Sequence, residues 1–219
     1  MQWVPGIQRA ALRGDHAATH VPAGGARFCL EELAGRLVEM SGEGASAVLT
    51  LAVGLVLDAQ AAHEPVAWIG SEESSFYPPD LADSGVDLNA LIVVRIPSAR
   101  LEATGHARSQ VLAVAAERLL RSGAFGLVVI DLCRDVELAQ VLQSRLLGLA
   151  QRHHAALVCL TEKSEETPSL GSLVSLRVHA VRAWLGRERF ACELRVRKDK
   201  RRGPVWSERE VYRGPLGLR

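Results

Sequence analysis

Three observations on this chain predict an α/β fold with a mostly parallel central sheet, flanked by helices and extended by a C-terminal antiparallel meander. Strand-like apolar runs alternate with helix-length amphipathic stretches between residues 37 and 161, and these runs are apolar at nearly every position rather than every second one. After Pro168 the pattern changes to short alternating strands separated by glycine turns. Alternation with helices implies parallel βαβ units, and continuous apolar strands imply a sheet covered on both faces.

Each element follows from its own pattern. Residues 1–30 hold Pro5, Gly6, Gly14, Pro22, Gly24 and Gly25 around a short helix expected near Gln8 to Leu12. They read as an N-terminal arm ahead of a core domain at 31–219. Trp3, Val4 and Ile7 in that arm need an apolar surface, either on their own core or on a neighbour. Strands are expected at Leu37–Met40, Val66–Ile69, Leu91–Ile96, Leu127–Asp131 and Ala156–Thr161, with helices at 47–62, 109–121 and 137–152 between them. In the last helix Leu138, Val141, Leu142, Leu146 and Leu149 fall on one face, as a helix covering a sheet requires. The meander comprises Leu173–Trp184, Phe190–Val196 and Val205–Tyr212, with turns at Gly186 and Gly203.

Composition sets the outer bounds. At 219 residues and 48% hydrophobic content the chain holds enough apolar material for one core. A formal net charge of +1 gives no global field toward nucleic acid or membrane, so any such contact must come from a local patch. Cys29, Cys133, Cys159 and Cys192 show neither CxxC pairing nor metal-ligand spacing, and read as buried thiols of a reducing compartment. No metal site is expected. The longest apolar stretch, Ala47 to Leu57, is too short to span a bilayer, and the N-terminus lacks a signal-peptide apolar region. A soluble cytoplasmic protein without membrane contact is the expectation.

The most informative local feature lies between the first strand and the first long helix, where Gly42-Glu43-Gly44-Ala45-Ser46-Ala47-Val48-Leu49 stands in the place of a phosphate-binding loop. A working loop of this kind has the spacing Gly-x-x-x-x-Gly-Lys-Ser/Thr, in which backbone N–H groups wrap the phosphates, Lys neutralises them and the hydroxyl holds Mg²⁺. Counted from Gly42, the last three positions are Ala47, Val48 and Leu49. Phosphates beside Val48, without a cation, lose more in desolvation than backbone hydrogen bonds return. The expectation is a degenerate nucleotide site with no bound cofactor and no catalysis, in which Gly42 and Gly44 serve a tight strand-to-helix turn.

Several segments together resemble the recombinase core of the RecA family. The run Arg36-Leu37-Val38-Glu39-Met40-Ser41-Gly42 is similar to the strand entering that family's P-loop, and Ala67-Trp68-Ile69-Gly70-Ser71-Glu72 to the strand ending in its catalytic glutamate. Gly85-Val86-Asp87-Leu88-Asn89-Ala90-Leu91 matches a further family signature. Arg121-Ser122-Gly123-Ala124 and Leu127-Val128-Val129-Ile130-Asp131 resemble the helix end and Walker B strand, with Asp131 at the metal-binding aspartate. Val196 to Lys200, Gly203-Pro204 and Tyr212 to Gly217 look like the C-terminal core hairpin. The resemblance runs from about residue 31 to residue 217, with the motifs in family order.

The departures from the family define the expected function. In active recombinases the loops after the Walker B strand and after the next strand reach single-stranded DNA. Here Asp131 leads almost directly into the 137–152 helix, and the second loop shrinks to about Thr161–Gly171. That loop carries Glu162, Glu165 and Glu166, which repel a phosphate backbone, and Glu162 stands where the family has a nucleotide-sensing glutamine. Glu72 and Asp131 then read as inherited strand-end carboxylates. The pattern resembles the truncated, nucleotide-free accessory members found in bacterial mutagenic repair cassettes. This implies a role in damage-induced translesion synthesis through protein contacts. The implied partners are the cell's recombinase (RecA), an inactive Y-family polymerase relative and an error-prone replicative polymerase, with DNA binding weak or indirect.

Arg195, Arg197, Lys198, Lys200, Arg201 and Arg202 form the strongest charged patch. In family filaments two lysines matched by Lys198 and Lys200 reach the ATP of the neighbouring subunit, so the resemblance permits contact with a recombinase, and a competent lysine face joined to a dead nucleotide face is expected to cap a filament and inhibit its assembly. Two other readings of the patch stay open: an ordinary solvated hairpin, or a DNA-binding module with Trp206 or Tyr212 nearby for stacking. A weak or partner-completed ATPase is the enzymatic alternative. His153-His154 at a helix end reads as a macrodipole contact.

Overall fold

The computed structural model describes residues 28–74, 76–97, 108–133, 137–186, 189–203 and 206–213. Its strands are β1 (Leu37–Gly42), β2 (Val66–Ser71), β3 (Leu91–Ile96), β4 (Leu127–Cys133), β5 (Ala156–Glu162), β6 (Leu176–Gly186), β7 (Arg189–Asp199) and β8 (Ser207–Arg213). Its α-helices are α1 (Leu30–Leu33), α2 (Val48–Ala61), α3 (Arg108–Ser122) and α4 (Gln140–Arg152). The strands form one sheet in the order β3-β2-β4-β5-β1-β6-β7-β8. The first six in that order run parallel and β7 and β8 extend the sheet antiparallel; the C-terminal meander expected from the sequence is present, but its first strand, β6, joins the sheet parallel to β1. The arm helix near Gln8 to Leu12, the Trp3 and Ile7 cluster, Val205 and the 214–217 motif lie outside the described residues.

The apolar strands are buried because both faces of the sheet are covered. On one face Val38, Met40, Trp68, Val129, Val158 and Val178 pack with Ala52, Val53 and Val56 of α2. The opposite face packs Leu37, Ile69, Ile130 and Cys159 with Leu112 and Ala116 of α3 and with Leu142 and Leu146 of α4. Alternate residues of each strand therefore enter different cores.

Helix α4 corrects one expectation: Val141 is 65% exposed, while Leu142, Gln143, Leu146 and Ala150 are buried. The helix starts at Gln140, not 137, and Val141 sits about 100° of helical rotation from Leu142. Leu138 precedes the helix, where its carbonyl accepts from Gln143 Nε2 at 2.6 Å. Cys159 and Cys192 are buried as expected, whereas Cys29 and Cys133 are partly exposed because they end or precede elements at the surface; all four are free thiols. The one-turn helix α1 and the 3₁₀ turns Pro78–Ser84 and Leu88–Ala90 carry no apolar period long enough to announce them.

The Gly85–Leu91 signature makes the turn into edge strand β3. Gly85 has φ +88°, a left-handed conformation that glycine tolerates best. Asp87 Oδ1 accepts from the Asn89 amide at 2.9 Å, and Gln60 of α2 clasps Asp87 by donating to its carbonyl (2.7 Å) and accepting from its amide (2.9 Å).

Candidate functional site

Strand β1, the Glu43–Ala47 loop and α2 form the strand–loop–helix frame expected of a phosphate-binding loop. The space above Gly42 is filled by side chains. A β-carbon on Gly42 would lie 2.5 Å from Ser46 Cβ, 2.7 Å from Ser46 Oγ and 2.9 Å from Val48 Cγ2. Gly44 adopts φ +56° with open space around it, which fits a turn-making role. Ala47 is fully buried, Val48 is 9% exposed and Leu49 packs against the α2-side core. The three positions that would carry Gly, Lys and Ser/Thr in an active loop are thus apolar residues packed into the interior (Ala47, Val48) or against it (Leu49).

Glu72 follows β2, exposed, and Asp131 lies near the end of the adjacent strand β4 at 7% exposure. Both stand at the same C-terminal edge of the parallel strands as the Gly42 loop. Asp131 is engaged: its Oδ2 accepts from Ser74 Oγ at 2.5 Å and its Oδ1 from Cys133 Sγ at 3.5 Å. Cys133 sits at φ +58°, and burial first, then the Asp131 carboxylate, push its thiol up to about 12, so it stays protonated. The crevice along this edge is lined by the carboxyl-bearing Glu43, Glu137 and Glu162 and by Arg145, which stands 3.9 Å from Glu117. Lys163, also on its wall, is ion-paired with Glu39. Such a lining disfavours a polyphosphate.

The shortened loop after β5 lies against its own sheet. Glu39, fully buried in β1, pairs with Lys163 Nζ and accepts from Ser169 Oγ (2.9 Å), the Leu170 amide (2.9 Å) and Thr161 Oγ1 (3.4 Å). Lys163 also donates to the Pro168 carbonyl at 2.6 Å. Gln143 Nε2 reaches the Leu170 carbonyl at 3.0 Å, and Gly171 is small enough to admit the Gln143 amide. Sequence reasoning missed Glu39, because a lone carboxylate in a strand gives no sign of a lysine returning from 124 positions away (163 − 39).

The six hairpin cations are together but not alike. Arg195, Arg197 and Lys198 lie on β7, and Lys200, Arg201 and Arg202 in or beside the turn to β8. A register shift at Arg177/Val178, opposite Arg197, is a β-bulge. It lets consecutive residues 197 and 198 both meet the 163–172 loop. Glu165 pairs with Arg195 at 3.4 Å and Arg197 at 3.0 Å. Lys198 Nζ donates to the Gly171 and Ser172 carbonyls (both 3.4 Å), and Lys200 Nζ to Ser172 at 2.6 Å. Burial, then Lys200, hold the Lys198 ammonium below the usual lysine range. Arg201 reaches the Glu32 and Ala34 carbonyls and Arg202 the Glu32 carboxylate. Trp206 donates to buried Asp199 and Tyr212 stacks on Phe190, so each ring is already engaged within the chain.

Position along the sheet separates the two sites. Asp199 pairs in register with Leu176 at the N-terminal end of β6, and it bonds Arg36 just ahead of β1. Lys198 and Lys200 therefore stand toward the end of the sheet opposite the Gly42 loop. His179, level with Ser41, has Nδ1 3.2 Å from Ser41 Oγ; burial chiefly, with Arg177 and Arg195 adding, lowers its pKa and keeps it neutral at neutral pH. His153 and His154 end α4, and no cluster of three potential ligands occurs among the described residues. Among those residues no helix is long and apolar enough to cross a membrane. Neither the protein-family models nor the curated proteins contain a match to this chain.

Proposed function

We propose that this chain is a non-catalytic, RecA-like accessory protein of damage-induced mutagenic DNA repair, similar to the ImuA group. In this reading it works by protein contacts in a cytoplasmic translesion-synthesis complex and restrains recombinase filament growth. The observation that carries the reading is the strand–loop–helix frame at Gly42–Leu49, in which Ser46 and Val48 pack against Gly42 and Val48 and Leu49 stand in place of a lysine and a hydroxyl. The parallel sheet with its antiparallel C-terminal extension supports it, as does the common edge shared by that loop, Glu72 and Asp131. The partners are those the resemblance implies: RecA and the two polymerase relatives of the same cassette.

Two faces give the proposal a mechanism. The Lys198/Lys200 end offers cations to a neighbouring recombinase subunit, and the Gly42 edge offers no nucleotide to the next. A subunit of this kind joins a filament end and stops its growth. Lys200 is exposed and, among the described residues, the hydrogen bonds of both ammonium groups go to neutral carbonyls of Gly171 and Ser172, acceptors that a phosphate can displace.

Titration with a fluorescent ATP analogue and Mg²⁺ tests the non-catalytic half. No saturable binding is expected below about 1 mM, equivalent to less than about 4 kcal/mol of affinity. Micromolar binding would overturn it and restore the ATPase reading. Inhibition of filament assembly, lost in Lys198→Ala/Lys200→Ala, tests the other half.

A further inference from the structure

The 163–172 loop is bound to the chain's own sheet much as a separate peptide would be. Beneath its outer turn lie three arginines on neighbouring strands: Arg177 of β6, and Arg195 and Arg197 of β7. Glu165 offers one carboxylate oxygen to each of the last two, Oε2 to Arg195 Nη1 at 3.4 Å and Oε1 to Arg197 Nη1 at 3.0 Å. Glu193 holds Arg195 by Nε (2.8 Å) and Nη2 (3.4 Å), which leaves Nη1 for Glu165. Arg177 Nη2 donates to the carbonyls of Ser164 and Glu165 at 3.2 and 3.3 Å. Arg177 is only 6% exposed, yet its Nε–H has no acceptor among the described residues. A buried guanidinium left partly unpaired is costly, so this face is incompletely satisfied by its present occupant.

We propose that Arg177, Arg195 and Arg197 form a binding site for an acidic peptide segment of a partner protein, with Glu165 as its occupant in the free chain. The site goes beyond the recombinase reading and stands whichever protein supplies the segment. Arginine forks match carboxylates bidentately, and clusters of them are a recurring means of reading acidic motifs. The present occupant supplies the same chemistry: one carboxylate and two main-chain carbonyls.

The loop is built to exchange locally. Lys163, which also holds the Pro168 carbonyl, on one side and Ser169 and Leu170 on the other are tied to fully buried Glu39, which confines movement to Ser164–Thr167. That outer turn is held to the arginines by two partly exposed ion pairs and two long carbonyl bonds, all of a weak kind. Single-stranded nucleic acid fits less well, since its bases need aromatic platforms. The rings of Phe190, Trp206 and Tyr212 pack with the α2-side core, on the other face of the sheet from the arginines.

Anisotropy of a fluorescein-labelled peptide of eight alternating Asp and Glu residues, titrated with the full chain at fixed ionic strength, tests the site. Glu165→Gln should lower the apparent Kd about tenfold, as expected when a self-occupied site is freed. Arg195→Gln/Arg197→Gln should raise it at least about tenfold, while Arg118→Gln, exposed on α3 and outside the site, should leave it within about twofold. Circular dichroism establishes that each variant is folded. The proposal fails if Glu165→Gln binds no tighter than the wild type, if Arg118→Gln weakens binding as much as the arginine pair, or if a dT oligonucleotide of equal charge binds more tightly than the peptide.

Discussion

Asp199→Ala should destabilise the fold by about 3–5 kcal/mol, the usual cost of stranding one member of a buried ion pair. Asp199 and Arg36 have side chains 1% and 4% exposed and meet at 2.6 Å. The same carboxylate accepts from the Arg201 amide at 2.9 Å and from Trp206 Nε1 at 3.2 Å. Arg36 also bonds Ser175, so the pair ties the start of β1 to β6, β7 and the hairpin turn. Urea unfolding should show a midpoint lowered by about 1–2 M with little change in slope. Burial alone would raise the Asp199 pKa, but the Arg201 amide, the Arg36 guanidinium and Trp206 outweigh it and hold the group below the usual aspartate range. A depressed carboxylate contributes stability above its unfolded pKa and loses it as pH falls through the folded one. The wild type should therefore lose this contribution only in acid, below the ordinary aspartate pKa, and Asp199→Asn should flatten that limb. An unchanged midpoint in Asp199→Ala would contradict the role given to the pair.

Glu39→Ala should cost about 2–4 kcal/mol and also loosen the loop after β5. The substitution removes the acceptor of the Leu170 amide and Ser169 hydroxyl and leaves Lys163, with a side chain 16% exposed, without its counter-ion. Hydrogen exchange should accelerate at Leu170 and across 163–172, while β4 and the centre of β5 retain protection relative to the lowered global stability. If Leu170 exchanges no faster than the global opening predicts, Glu39 is not what pins the loop.

The parallel part of the fold was legible because its strands are buried on both faces. Runs such as Leu127–Asp131 and Ala156–Thr161 have few other places to go, and Pro168, Gly186 and Gly203 punctuate the meander that follows. Polar residues inside the sheet were harder to read. Glu39 and Asp199 each stand among residues of ordinary strand or hairpin character, and their burial depends on Lys163 and Arg36, brought by tertiary structure across long separations. Val141 was misassigned because an apolar residue near a helix start fits a stripe until the first turn is fixed. At the candidate site the missing lysine was visible at Val48, but the collapse of Ser46 and Val48 onto Gly42 was not, since loop geometry is not encoded in spacing. Likewise the cation run 195–202 was plain, whereas the bulge at Arg197 and the approach of Arg177 required the register of β6 and β7.

In the proposed function one end of this molecule engages a recombinase while its nucleotide edge is inert. Fluorescence anisotropy of labelled single-stranded DNA during assembly of the same organism's recombinase with ATP, with this protein titrated in, tests it most directly. Wild-type protein should lower assembly, Lys198→Ala/Lys200→Ala should not, and the protein alone should leave the DNA signal unchanged. Assembly that proceeds untouched, or that the double variant inhibits equally well, would contradict it.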